Sequence, residues 1–118
     1  DSRFDFYLEA PGERLYAEVK GVTLEEDGVV RFPDAPTIRG LRHIRELTAA
    51  AREGLGAAVI FVVQLAEARY FAPNDATQPE FGRALLEARE AGVRLIARRC
   101  EVTPLEITLG EEIPIRLK

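Results

Sequence analysis

The sequence predicts an α/β domain, a mixed β-sheet flanked by helices, on three observations. Two runs that alternate apolar and polar residues meet at the Pro11-Gly12 turn, the signature of an antiparallel hairpin. The run Ala57 to Val63 is continuously apolar, as in a central strand covered on both faces. Two amphipathic segments, each followed by glycine, read as helices. At 118 residues the chain is one domain, 1–118, with no internal repeat and no low-complexity segment.

The elements follow in order. Phe4, Phe6 and Leu8 alternate with Asp5, Tyr7 and Glu9, and Leu15, Ala17 and Val19 alternate with Tyr16, Glu18 and Lys20. A symmetric loop at Pro11-Gly12 pairs positions that sum to 23. Phe4 then faces Val19, Phe6 faces Ala17 and Leu8 faces Leu15, so one face is uniformly apolar and inward. On the other face Tyr7 meets Tyr16 as a cross-strand pair, Glu9 meets Arg14, Asp5 meets Glu18 and Arg3 meets Lys20. Residues 22–30 hold two short strands around Glu26-Asp27-Gly28, and residues 32–36 form an irregular loop. Thr37 is the expected N-cap of a helix over residues 38–53. Ile38, Leu41, Ile44, Thr48 and Ala51 form its inward stripe, with Arg39, Arg42, His43 and Glu46 on the outward side. A strand spans residues 57–65. Asn74 and Asp75 fix a polar loop, and Thr77-Gln78-Pro79-Glu80 is expected to form a capping box. The second helix ends at Gly92, a strand covers residues 93–100, and the tail holds one or two short edge strands.

Composition excludes several classes. No apolar run is long enough to span a bilayer as a helix, and the start carries no signal-peptide pattern. One cysteine, Cys100, allows no internal disulfide and fits a reducing cytoplasm; it reads as a small buried residue. One histidine, His43, excludes poly-histidine metal sites and Cys/His zinc sites. The net charge of −4 argues against a simple polyanion binder. Charge is uneven: residues 1–37 are acidic overall, and the helix that follows is basic. The chain contains no methionine and starts within strand-like sequence, so it reads as a piece of a longer protein.

The candidate chemistry lies on the polar face of the hairpin. Two carboxylates directly opposite on a sheet face repel, and a divalent cation held between them turns that cost to use. Oxygen ligands and partial hydration suit Mg²⁺, or equally Mn²⁺. Lys20 leaves the same strand face as Glu18, within reach of a substrate phosphate or the attacking water. It is one of two lysines in a chain that otherwise uses arginine, and an ammonium can give up a proton where a guanidinium cannot. Asp5, Glu18 and Lys20 together suit phosphodiester hydrolysis. A second reading stays open on spacing alone: Arg3, Asp5, Glu18 and Lys20 form a salt-bridge lattice on a solvated face.

Several motifs add to this reading. Ser2-Arg3-Phe4-Asp5-Phe6, Glu18-Val19-Lys20, the run from Phe32 to Thr37 with Arg39, Gly40 and His43, Phe61-Val62-Val63-Gln64, and Phe71 with Pro73-Asn74-Asp75 occur in order. In these the chain resembles the sugar fermentation stimulation protein A family. The resemblance implies a bacterial or archaeal cytoplasmic protein, DNA-binding and linked to regulation of sugar (maltose) metabolism. It implies an N-terminal OB-fold domain, absent from this chain, joined to a restriction-endonuclease-like domain of the PD-(D/E)XK type, to which this chain corresponds. The acidic residue of that pattern maps onto Asp5 and its E-x-K onto Glu18 and Lys20, with the Val19 carbonyl as a further metal ligand. Arg39, Arg42 and His43 become nucleic-acid contacts, and Asp34 and Gln64 further site candidates. The helix and first strand that usually precede Asp5 are absent, so the expected core is truncated on its N-terminal side. An open sheet edge would then favour a homodimer. The implied function is DNA binding with metal-dependent nuclease-like cleavage, or a non-catalytic DNA-binding regulator that keeps the fold.

Overall fold

β1 (Phe6–Ala10) and β2 (Glu13–Val22) pair antiparallel, with Phe6 opposite Ala17, Tyr7 opposite Tyr16, Leu8 opposite Leu15 and Glu9 opposite Arg14. This is the register expected from the symmetric loop. The computed structural model describes residues 6–10, 13–65, 67–102 and 107–117. The expected pairs of Arg3, Phe4 and Asp5 lie outside the described residues. β3 (Leu24–Glu26) and β4 (Val29–Phe32) form a second hairpin. Its two-residue turn, Asp27-Gly28, has positive φ at both positions, 53° and 83°, the geometry that matches the twist of tightly joined strands.

Thr37 caps α1 (Ile38–Arg52), its Oγ1 accepting from the Gly40 N–H at 2.9 Å. β5 (Gly56–Val63) follows, then β6 (Tyr70–Pro73). α2 (Pro79–Ala91) closes on Gly92 at φ 108°, the left-handed position glycine adopts without strain. β7 (Arg94–Val102) and β8 (Ile107–Ile113) complete the chain.

A five-stranded sheet runs in the order β1-β2-β5-β7-β8. Its three central strands are parallel, with antiparallel strands at both edges. The crossovers from β2 to β5 and from β5 to β7 carry α1 and α2, which pack on the sheet and on each other. β3, β4 and β6 form a small second sheet. The core gathers Phe61, Phe71, Ile44, Leu47, Leu85 and Val59, each fully buried, and Phe61 stacks on Phe71 at 4.2 Å between ring centroids.

Three expectations are corrected. The parallel register sets Tyr16, Glu18, Lys20 and Val22 beside Ala57, Val59, Phe61 and Val63, the β5 residues of the core. The polar side of β2 therefore faces the helices; it is not a solvated face. α1 keeps most of the expected stripe, with Ile44 and Thr48 buried and Leu41 and Ala51 packed against the core, but Ile38 is 83% exposed and the buried face extends to Gly40, His43 and Leu47. The capping box does not form, because Gln78 is the N-cap and the Thr77 hydroxyl accepts from the Asn74 amide instead. β6, over residues that the sequence pattern leaves unassigned, pairs parallel to β4.

Candidate functional site

Glu18 lies near the middle of β2, beside Val59 of β5 and under α1. Its residue exposure is 2%, so its carboxylate must find partners within the protein. It finds two, and both use the same oxygen. Lys20 Nζ is 2.8 Å from Oε2, and His43 Nδ1 is 2.8 Å from that same Oε2. Lys20 comes from the strand itself, two residues on, where the pleat returns the side chain to the same face. His43 comes from α1, one helical turn beyond Arg39. The other oxygen, Oε1, is buried and has no hydrogen-bond partner among the described residues.

That asymmetry is the main feature of the site. Two donors could satisfy both oxygens, one each. Here they converge on one and leave the other bare, at a cost of order 1–3 kcal/mol for a buried acceptor without a partner. A cation ligated through Oε1 would offset that cost, so the bare oxygen fits one metal ligand. The described residues do not complete a metal site. Among the described residues no cluster of three or more His, Cys, Asp and Glu side chains assembles. Glu18 is also already neutralised by Lys20, so a divalent ion needs further anionic oxygen. Asp5, the expected second carboxylate, lies outside the described residues.

The other expected residues are dispersed. Arg39 and Arg42 are exposed on α1, on the outward side where the periodicity placed them. His43 does not join them: it is 4% exposed and turned inward onto Glu18, a correction to its expected outward position. Asp34 is exposed in the loop before α1 and is not among the partners of Glu18. The side chain of Gln64 is exposed, while its N–H extends the ladder to the Val22 carbonyl. Val19 lies between the two charged residues of the strand and is half-buried. Asn74 does fix its loop: its side-chain amide donates to the Pro33 carbonyl and to Thr77 Oγ1. Burial raises the Cys100 thiol pKa, which keeps the group protonated and unreactive.

Sequence reasoning missed two things. One is the His43–Glu18 bond, although Gly40, Ile44 and Leu47 bracket His43 on one helix face. The other is a latch at the helix starts: Gln78 Oε1 accepts from the Thr37 N–H at 3.0 Å, tying the start of α2 to that of α1. A buried glutamine at a helix start has no periodic signal to reveal it.

Residues 1–106 match the model of the family described as "Sugar fermentation stimulation protein RE domain". The chain belongs to the sugar fermentation stimulation protein family. It is 50% identical to a sugar fermentation stimulation protein homolog of Desulfitobacterium hafniense (strain Y51) over 117 residues, covering 99% of this chain and 51% of that protein. Similar values hold for the homolog of Clostridium perfringens (strain SM101 / Type A), 50% identical over 118 residues and again 51% of its length. The chain thus spans about half the length of the curated relatives it matches. Among solved structures it is similar to that of Pyrococcus furiosus SfsA in complex with Ca2+. The TM-score is 0.89 at 32% identity, over 98% of this chain and 51% of that one.

Proposed function

We propose that this member of the sugar fermentation stimulation family carries a divalent-cation site and acts on DNA through it, as a nuclease-like domain. One observation carries the reading: Glu18 is buried with both donors on Oε2 and none on Oε1. The Pyrococcus furiosus SfsA structure, a complex with Ca²⁺, supports a cation in a relative of this fold. Glu18, with Asp5 and the Val19 carbonyl, would hold Mg²⁺ or Mn²⁺. Such an ion supplies charge neutralisation at a phosphodiester. Lys20 Nζ carries three protons and gives one to Glu18 in a hydrogen bond, which leaves donors for a phosphate oxygen or the attacking water. Arg39 and Arg42, exposed on α1, supply phosphate contacts that hold the duplex.

The test is a calorimetric titration of the full chain with Mn²⁺ and Ca²⁺, repeated on Glu18→Gln and Asp5→Asn. The expected result is binding that is lost in both variants. A plasmid-nicking assay with Mg²⁺ or Mn²⁺ then separates the two forms of the proposal. Cleavage lost with Lys20→Ala supports the nuclease, and DNA binding without cleavage supports a non-catalytic regulator. Unchanged cation binding in Glu18→Gln would end both.

A further inference from the structure

We propose that His43 is the positioning residue of the cation site: its Nδ1–H holds Glu18 Oε2 from α1, and so keeps Oε1 turned to the ion. This rests on the cation reading above and adds to it a residue with a defined job.

The chemistry of the contact assigns the proton. A carboxylate facing an ammonium can only accept, so the His43 Nδ1 at 2.8 Å must be the donor. That holds whether or not the ring carries a second proton. The geometry assigns the purpose. The terminal torsion of a glutamate side chain is soft, and Lys20 shares its strand and has a flexible stem. Lys20 alone would let the carboxylate turn. His43 is the partner on a separate, rigid element. Its neighbours Ile44 and Leu47 are fully buried, and the start of α1 is fixed by the Thr37 cap and the Gln78 latch. A donor fixed to α1 and a donor from the strand meet on one oxygen, which pins the carboxylate in a single orientation. Groups that orient ligands in this way typically change metal affinity 10–100-fold when removed.

His43 is the sole histidine, so its imidazole signals in ¹⁵N-resolved NMR need no assignment by mutation. The experiment uses the full chain with Ca²⁺ as the probe, read by calorimetry and by those signals, on the unmodified protein and on His43→Leu, His43→Asn and Glu18→Gln. Without Ca²⁺ the ring is expected to show a protonated Nδ1 that is slow to exchange, and Glu18→Gln is expected to alter that signal. Ca²⁺ is expected to shift it with the dissociation constant found by calorimetry. His43→Leu is expected to weaken Ca²⁺ about 10–100-fold. His43→Asn, whose amide nitrogen falls where Nδ1 lay, is expected to recover most of that loss. If the leucine variant does not fold, His43→Gln replaces it, since its amide reaches to the position of Nε2 and is expected to show the same loss. Ca²⁺ binding as tight in the disrupted variant as in the unmodified protein would overturn the role of His43, as would asparagine failing to rescue. Ca²⁺ binding that survives Glu18→Gln would instead overturn the cation site itself.

Discussion

Replacing Lys20 with methionine is expected to cost the fold more than replacing its partner Glu18 with leucine. The two side chains share one contact, 2.8 Å between Nζ and Oε2, but not one environment. The Lys20 side chain is 14% exposed and the Glu18 side chain 3%. Without Glu18, the ammonium can shift its tip toward water along its stem, and the main loss is the donor left over on His43. That costs about 1–2 kcal/mol. Without Lys20, the carboxylate stays buried between β2, β5 and α1 with the ammonium gone and one hydrogen bond, from His43. Breaking a fully buried pair costs about 3–5 kcal/mol. The partial exposure of Lys20 lets water reach that side, so about 2–4 kcal/mol is the fitting range.

Urea denaturation followed by circular dichroism reads this directly. With a slope near 1.5 kcal/mol per molar, Lys20→Met is expected to lower the midpoint by about 1.3–2.7 M at unchanged slope. The double variant Glu18→Leu with Lys20→Met is expected to be more stable than Lys20→Met alone, because it removes the stranded charge. Ca²⁺ sharpens the test. In Lys20→Met the ammonium no longer competes with the ion for the carboxylate, so at one fixed Ca²⁺ concentration the stabilisation is expected to exceed that in the unmodified protein. A concentration a hundredfold above the dissociation constant of Lys20→Met stabilises that variant by about 2.7 kcal/mol, and the more weakly binding unmodified protein by less. A Lys20→Met protein within about 0.5 kcal/mol of the unmodified one would refute the reasoning. It would mean that Glu18 is reached by water and that its bare oxygen needs no ligand.

Two further outcomes test the frame around the site. Phe61→Ala removes a fully buried ring that stacks on Phe71 and sits beside Lys20 in the register; it is expected to cost about 3–5 kcal/mol in the same urea assay. Cys100, buried and with its thiol pKa raised by that burial, is expected to react with iodoacetamide at pH 8 far more slowly in the folded chain than in 6 M urea. The linkage runs the same way: above pH 9 the unfolded thiol ionises first, so Cys100→Ser is expected to lessen the fall in stability there and to change nothing near neutrality.

The hairpin register was legible because apolar residues at alternate positions can pair in only one way across a two-residue loop, and all the observed pairs obey it. The α1 boundary was legible for an equally local reason, a threonine whose hydroxyl reaches the Gly40 N–H. What alternation could not show was which face of β2 meets the helices. Leu15, Ala17 and Val19 are the apolar set, and hydrophobicity alone turns them inward. The parallel pairing with β5 sets Glu18 and Lys20 beside Val59 and Phe61 on the core side, while Ala17 on the other face is buried as well. Burying a Glu-x-Lys in that position is unfavourable on hydrophobic grounds, and it persists because each charge neutralises the other and His43 supplies a third group. The same contact explains the misplaced edge of α1. Counting apolar residues includes Ile38 and leaves out Gly40 and His43, whereas the helix buries Gly40 and His43, a small residue and a hydrogen-bonding one that fit over a buried carboxylate. Both errors have one source. The residues that depart from apolar patterning on β2 and α1 are those that meet at Glu18, and sequence rules built on hydrophobic burial fail where a protein buries charge.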